Sequence, residues 1–218
     1  AQGTRATDGG WRMSQRSLAV LDLAERILVA LLYGYFAFRM LAAPSAKFNI
    51  VTLVLLVSES LPVIFIVSRL KARALSGNPM DWLLGTLGAS LPLLASRHAA
   101  HSALVPLQVC VVIMLAGLWI EISAKLALGR RFGIVAANRG IEISGPYRFV
   151  RHPMYVGYTI VHIGFLMAFP SLWNATLYST ELLIQLARLL REERLLKQDA
   201  GYREYASRVP YRVLPMIF

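Results

Sequence analysis

The sequence predicts an all-α, polytopic membrane protein: a helical bundle of five to six segments, the last two forming a helical hairpin followed by a cytoplasmic C-terminal tail. Hydrophobic residues make up 56% of the 218 residues and charged residues 16%. Mean hydropathy is +0.54, and Lys and Arg gather in the short segments between apolar runs. These observations are typical of a membrane protein, in which only helices or closed barrels satisfy the backbone.

Six apolar runs approach the roughly 20 residues that a helical membrane span needs. They are residues 27–43, 50–68, 82–95, 104–128, 154–173 and 175–190. The third run is the shortest, and its small residues Gly85 and Gly88 permit close helix packing. We therefore expect a flexible tail over residues 1–17, transmembrane helices over 18–128 and a separate functional unit over 129–218.

The distribution of basic residues predicts the orientation. The formal net charge is +11, and the basic connectors 69–81 and 129–153 are typical of cytoplasmic loops rather than of a nucleic-acid surface. The basic tail returns to the same side only if the last two runs form a tight hairpin about residues 171–174. That hairpin brings "GPYRFVRHPMY" next to "RLLREERLLKQDAGYREYASRVPYRVLP".

The stretch "GPYRFVRHPMYVGY" marks the start of the fifth helix. Pro153 fits the first helical turn, where its missing N–H costs nothing, so His152 lies near the N-cap. The exposed amides there favour an anionic group, and Gly157 permits close approach of a ligand or helix. A polar stripe with i, i+4, i+7 spacing follows along this helix: Tyr155, Thr159 and His162.

Other ionisable residues in the apolar runs have structural interpretations. Glu59 is protonated, paired with another helix or functional, and a structural partner is favoured. Glu121 with Lys125 forms an i, i+4 pair. His162 is interpreted as a buried histidine bonded between helices.

Metal and thiol chemistry are not expected. His98 and His101 have HxxH spacing but lie in a non-cytoplasmic turn without a neighbouring carboxylate or cysteine, so no metal site is predicted. Cys110 is the single cysteine and lies in an apolar run, where a reactive thiolate is not favoured.

The two cytoplasmic stretches together resemble the isoprenylcysteine carboxyl methyltransferase family and its bacterial relatives. The resemblance rests on "RHPMY", then "REER" and "GYREY" in that order, and covers roughly residues 129–215. It implies methyl transfer from S-adenosylmethionine to a lipophilic small molecule or a lipid-modified substrate, with residues 129–218 as the cofactor-binding core. A membrane lipid is an expected partner and nucleic acid is not.

The resemblance also implies roles for individual residues. Three are expected at the catalytic or substrate position: Arg191, Glu192 and Arg212. The cofactor is expected to be held by Arg151, His152, Pro153, Tyr155, Gly157, Glu193, Tyr202 and Tyr205. The residue types suit the task, since the cofactor carries a carboxylate, an ammonium, ribose hydroxyls, an adenine and a sulfonium.

The resemblance favours carboxylate O-methylation. A carboxylate acceptor needs no general base, whereas an amine or thiol must lose a proton, for which Glu192 and His152 are the candidates. Alternatives are a phospholipid N-methyltransferase, a small-thiol S-methyltransferase and an NADPH-dependent membrane reductase with the same core. A further alternative is an inactive lipid-binding assembly protein. No GxGxxG loop is present, which argues against a Rossmann-type site.

Overall fold

The computed structural model describes residues 15–42, 50–67, 74–76, 78–97, 102–135 and 137–215. These residues form seven α-helices: α1 (Gln15–Ala42), α2 (Ile50–Val67), α3 (Pro79–Ser90), α4 (Leu107–Leu128), α5 (Pro153–Ala168), α6 (Leu172–Leu196) and α7 (Ala200–Arg208). In this part of the chain the β-structure amounts to one short antiparallel pairing of β1 (Ala74–Leu75) with β2 (Ala137–Asn138). The all-α prediction is confirmed.

Several boundaries differ from the predicted runs. The run 82–95 is a short helix, α3, followed by a 3-10 turn at Leu91–Leu94; Pro92 lacks the N–H that continuing the helix requires. Helix α5 ends at Ala168, and α6 begins at Leu172. The predicted turn at 171–174 is therefore wrong by a few residues, because Ser171 caps α6 and its side chain accepts a hydrogen bond from the Asn174 amide at 3.1 Å.

Within the described ranges, α4 is the one helix both long and apolar enough to cross a membrane, and α5 is apolar but shorter. The number of spans and the orientation stay predictions. Residues 1–14 of the predicted flexible tail, the basic side chains at 69–73 and both His98 and His101 lie outside the described residues. Helix α1 already begins at Gln15, within the segment predicted to be flexible.

Helices α4 and α5 pack closely and antiparallel through glycines. A Cβ on Gly117 would lie 2.8 Å from the Gly157 oxygen, and one on Gly157 would lie 2.8 Å from the Glu121 nitrogen. Such separations are far inside normal contact, so only glycine allows the two backbones to approach this closely. This contact fixes the beginning of α5 relative to α4.

Buried polar contacts join the helices. Lys125 and Glu121 form the predicted i, i+4 ion pair, with both side chains fully buried. Ser58 of α2 donates to Glu121 Oε2 at 2.5 Å. Glu59 lies 3.3 Å from His162 Nε2, so its predicted helix partner is His162. Burial of these polar groups depends on such partners.

Glu25 of α1 holds the loop between α4 and β2 in place. Its Oε1 accepts hydrogen bonds from the Ile134 and Val135 amides at 3.0 and 3.1 Å. A Cβ on Gly85 of α3 would lie 3.0 Å from the Ile134 oxygen, so α3 supports the same loop. The loop thereby becomes a fixed wall of the site described next.

Candidate functional site

The segment before α5 pairs with the segment after α7. The Arg151 amide donates to the Tyr211 oxygen at 3.0 Å, and the His152 amide donates to the Arg212 oxygen at 2.8 Å. The two stretches that the predicted hairpin brings together are thus in contact. Pro153 begins α5 and His152 is its N-cap residue, as predicted.

Glu193, near the end of α6, is the acceptor that joins these segments. Its Oε1 accepts from Arg151 Nε at 2.6 Å and lies 3.4 Å from His152 Nε2. Its Oε2 accepts from Arg212 Nε at 2.8 Å, and Tyr202 Oη donates to Oε1 at 3.3 Å. The carboxylate is almost completely buried, so these donors replace the water it has lost.

The same contacts determine the ionisation of Glu193. Burial by itself raises the pKa of the carboxyl group, but hydrogen bonds from His152, Arg151 and Arg212 outweigh burial and lower the pKa well below the ordinary value of 4.5. Glu193 is therefore ionised at every physiological pH.

Arg151 also holds the segment after α7. Its Nη1 donates to the Val209 oxygen at 2.8 Å and to the Pro210 oxygen at 3.0 Å. Tyr205 Oη of α7 donates to the Tyr147 oxygen at 2.7 Å. Burial raises the pKa of Tyr205 to about 12, so its hydroxyl keeps its proton and remains a donor at neutral pH.

A partly open cavity of about 80 Å³ lies beside this cluster; we call it the main cavity. The loop over residues 131–142, the start of α5, the end of α6 and helix α7 form its walls. Its polar and aromatic lining consists of Arg131, Phe132, Arg139, Glu142, Tyr147, Arg151, His152, Tyr155, Tyr158, Arg188, Glu192, Tyr202 and Tyr205. The lining thus combines cations, carboxylates and aromatic rings.

Among the buried polar atoms of this lining, Tyr147 Oη and Arg188 Nε have no hydrogen-bond partner within the described residues. The rest of the Arg188 guanidinium is held in place, because Nη2 donates to the Gly133 oxygen at 3.3 Å and the group lies 5.7 Å from the centre of the Tyr155 ring. A buried donor without an acceptor is costly. A bound ligand with acceptor oxygens would satisfy both.

Six of the predicted site residues line the main cavity: Arg151, His152, Tyr155, Glu192, Tyr202 and Tyr205. Tyr155 Oη donates to Glu192 Oε2 at 3.3 Å, which joins α5 to α6 across the cavity. The His152 and Tyr155 rings meet edge to face with centres 5.7 Å apart.

The other five predicted residues lie outside the lining. Pro153 is buried at the start of α5, and Gly157 faces α4 rather than the cavity. Glu193 and Arg212 pair behind the wall. Arg191 forms an ion pair with Asp81 of α3, whose other carboxylate oxygen accepts from Ser76.

Sequence reasoning did not select several lining residues, chiefly Tyr147, Tyr158, Arg188 and the loop 131–142. Tyr147 and Tyr158 stand in the quoted "GPYRFVRHPMYVGY" stretch, so that motif contained a signal for them. Arg188 had only the signal of a basic residue near a helix end, which side chains at a membrane surface also produce. Among the described residues, no group of three His, Cys, Asp or Glu side chains is placed to hold a metal.

The lining fits the chemistry of S-adenosylmethionine. The two unpartnered donors, Tyr147 Oη and Arg188 Nε, suit a carboxylate or ribose oxygens, and Glu192 suits an ammonium or hydroxyls. Tyr155 and Tyr158 offer aromatic faces for an adenine or a sulfonium.

Comparison with known proteins agrees with this arrangement. Residues 105–201, a little under half of the chain, match the family model described as phospholipid methyltransferase. The Delta(14)-sterol reductase TM7SF2 of Mus musculus is 32% identical over 89 residues, which cover 38% of this chain and 21% of that protein. The match therefore spans about a fifth of that relative's length.

The matched region runs from just before α4 to the start of α7 and includes the α4–α5 contact, "RHPMY" and "REER". It overlaps most of the stretch on which the resemblance to the membrane methyltransferases rested. Residues 105–201 are thus similar to the phospholipid methyltransferase family, a family of membrane-associated methyltransferases, and the resemblance noted in the sequence is confirmed.

Proposed function

We propose that the chain is an integral membrane methyltransferase that uses S-adenosylmethionine and acts on a lipophilic acceptor. The observation that carries the proposal is the main cavity, in which two unpartnered donors, a carboxylate and two aromatic rings surround one space. The match of residues 105–201 to a methyltransferase family supports the same function.

The cofactor supplies a methyl group bound to a positively charged sulfur. Arg188 and Tyr147 are placed to bind its oxygens, and Glu192 its ammonium group or ribose. Tyr155 and Tyr158 are placed to face its sulfonium. Glu193 acts indirectly: it fixes Arg151 and His152, so these wall residues are already oriented before a ligand binds.

The main cavity of about 80 Å³ accommodates only part of such a molecule. The rest lies in the opening, or the walls move apart on binding. Helix α7 is the candidate for movement, because it is short and its contacts with the core run through Tyr202, Tyr205 and Val209.

The acceptor's chemistry belongs to the same proposal. Carboxylate O-methylation, favoured from the resemblance, would use Arg191 and Arg212 to orient the substrate carboxylate. In the structure both are paired, Arg191 with Asp81 and Arg212 with Glu193. A carboxylate acceptor would have to displace those partners, which argues for testing amines and thiols beside acids.

We place the main cavity on the cytoplasmic side, since the basic connectors and the basic tail predict that orientation. The cofactor then enters from the cytoplasm and the acceptor from the bilayer. Accessibility labelling of single cysteines introduced at Ile143 and Leu172, both exposed, tests the orientation in closed membrane vesicles. The two positions are expected to react from opposite sides.

The function is tested by thermal stabilisation of detergent-purified protein with S-adenosylhomocysteine beside NADPH. A ligand that binds only the folded state raises the melting temperature. S-adenosylhomocysteine is expected to raise it in the wild type and not in His152→Ala, whereas Glu204→Gln, at an exposed position of α7, serves as the control. Absence of a shift in folded wild-type protein would refute the proposal.

A membrane reductase is the second candidate, and the 32% identity to a sterol reductase is the observation that favours it. It predicts stabilisation by NADPH instead. A lipid-binding assembly protein without activity predicts stabilisation by neither ligand.

A further inference from the structure

A second, smaller cavity of about 30 Å³ adjoins the main cavity; we call it the inner cavity. Phe132, Tyr158 and Arg188 belong to the walls of both. Beyond them, the inner cavity is lined by Glu59, His162 and Glu181. A group that reaches past Tyr158 from the main cavity therefore meets two carboxyl groups and an imidazole.

These three residues form one unit of close contacts between ionisable groups, the Glu59–His162–Glu181 cluster. His162 Nε2 lies 3.3 Å from Glu59 Oε1, and His162 Nδ1 lies 3.4 Å from Glu181 Oε2. The ring stacks on Tyr178 at 4.5 Å between ring centres. Gln185 Nε2 donates to Glu181 Oε1 at 2.7 Å and fixes that carboxyl group.

The geometry determines how many protons the cluster holds. A carboxylate only accepts, and a neutral imidazole has one N–H. Both contacts are attractive only if two protons are shared among the three groups, either as an imidazolium with two carboxylates or as an imidazole with one protonated carboxyl. Both forms carry a net charge of −1. A third proton would neutralise that charge, and buried charge is costly.

Few other charges face the cluster. Arg188 is the cation in the inner-cavity wall. The neighbouring Glu121–Lys125 ion pair is neutral as a unit. Among the described residues, the remaining titratable groups around the cluster are hydroxyls on three helices: Tyr33, Tyr155, Tyr158 and Tyr178. The cluster is thus the group in this surrounding that gains most by taking up a proton.

We propose that the Glu59–His162–Glu181 cluster accepts the proton that a protic methyl acceptor loses, and that the inner cavity receives the acceptor's head group. This inference rests on the proposed methyltransferase function. For an ammonium head group, one N–H bond breaks and the proton passes to the cluster. The nitrogen lone pair bonds to the methyl carbon while the carbon–sulfur bond breaks and sulfur keeps its electron pair.

The cluster also selects the acceptor. A carboxylate head group has no proton to give the cluster, whereas an ammonium has one and is attracted to the cluster's negative charge. We therefore infer that the methyl acceptor is a group that carries a proton before methylation, such as an ammonium, and not the carboxylate that the resemblance favoured.

The first test measures binding without turnover. With S-adenosylhomocysteine present, dodecylamine is expected to raise the melting temperature of the wild type further, and dodecanoate is not. Glu181→Gln should lose the dodecylamine shift and keep the S-adenosylhomocysteine shift. The matched control is Glu204→Gln, an exposed glutamate of α7, which should keep both. An equal shift with dodecanoate, or a dodecylamine shift that survives in Glu181→Gln, would overturn the inference.

The second test separates proton transfer from mere binding. Methyl transfer to dodecylamine is followed against pH in the wild type and His162→Gln. Near neutral pH the variant is expected to be slower by about a hundredfold, the typical worth of general acid–base catalysis. The gap should narrow as the pH approaches the amine's own pKa, where the amine arrives deprotonated.

If His162 has only a structural role, His162→Gln should lower the rate by the same factor at every pH, and that result would contradict the inference. A wild type that does not methylate dodecylamine would also contradict it. If His162→Gln does not fold, Glu59→Gln is measured in the same way. The S-adenosylhomocysteine shift reports separately on the proposed function: without it in the wild type, the methyltransferase assignment itself fails.

Discussion

Arg151 and Glu193 form a buried ion pair across 42 residues of chain, with 2.6 Å between Arg151 Nε and Glu193 Oε1. Both side chains are at most 5% exposed. The pair joins the start of α5 to the end of α6 and, through Arg151, to the segment after α7. It determines the position of the wall around the main cavity.

Breaking this pair should destabilise the protein strongly. Removing Glu193 leaves the Arg151 guanidinium buried without its counter-ion, which costs about 3–5 kcal/mol. After Arg151→Ala the Glu193 carboxylate keeps Arg212, so the loss should be smaller. Arg151→Ala and Glu193→Gln are expected to lower the melting temperature, and the double variant by less than the sum of the two. The exposed pair Arg208–Glu204 is the control, for which Glu204→Gln should change little. Additive effects would contradict the pairing.

Glu193 should also contribute to the pH dependence of stability. Its pKa in the folded protein is lowered from 4.5, so its contribution is complete above the unfolded-state pKa and is lost as the pH falls toward the folded-state value. The wild-type melting temperature should therefore fall below about pH 4.5, the ordinary carboxyl pKa. Glu193→Gln should fall less steeply over that range. Parallel curves would refute the assignment.

Gly157→Ala should disturb the contact of α5 with α4. The added Cβ would lie 2.8 Å from the Glu121 nitrogen and 2.9 Å from the Gly117 oxygen, so the helices must separate, at about 1–3 kcal/mol for overpacking. The control is Gly34→Ala in α1, where nothing lies within 4 Å. That change should be neutral or stabilising, because alanine favours helix. Equal behaviour of the two variants in thermal unfolding would contradict the close approach.

The variant Tyr147→Phe tests whether the Tyr147 hydroxyl binds the cofactor. If Tyr147 Oη binds the cofactor, the variant should bind S-adenosylhomocysteine about tenfold more weakly, the worth of about 1.4 kcal/mol. Its stability without ligand should rise, since a buried hydroxyl that lacks a partner within the described residues is removed. Calorimetric titration and thermal unfolding measure the two effects. Unchanged affinity would remove Tyr147 from the cofactor site.

Arg191 provides a test between a structural and a chemical role. Its ion pair with Asp81 links α6 to α3, so Arg191→Gln and Asp81→Asn should lower the melting temperature by similar amounts. A substrate-binding role predicts instead that only Arg191→Gln raises the acceptor KM. Steady-state kinetics with the acceptor found for the wild type, beside thermal unfolding, separates these results.

The sequence predicted those features that depend on neighbouring residues or on the charge of whole segments. Pro153 marked the start of α5, and the i, i+4 spacing predicted the Glu121–Lys125 pair. The distribution of basic residues predicted that His152 and Glu193 lie close together, and His152 Nε2 lies 3.4 Å from Glu193 Oε1.

Features that depend on distant partners were not predictable in this way. Nothing near Arg191 in the sequence indicates that its guanidinium forms an ion pair with Asp81, 110 residues earlier. The resemblance implied that Glu193 contacts the cofactor. In the structure, donors from three segments hold its carboxylate behind the wall of the main cavity. Arg188 reads as an ordinary helix-end cation, and only the fold shows it buried between two cavities.

The contact of Arg151 with Val209, 58 residues later in the chain, has a consequence for biosynthesis. Residues are added from the amino end, so every helix through α7 is translated before the carbonyl groups that Arg151 requires have left the ribosome. Until then the Arg151 guanidinium, which pairs with the Glu193 carboxylate, lacks the carbonyl acceptors that follow α7. A nascent chain that stalls before Val209 would contain helices α1 to α7 and still lack a completed wall around the main cavity.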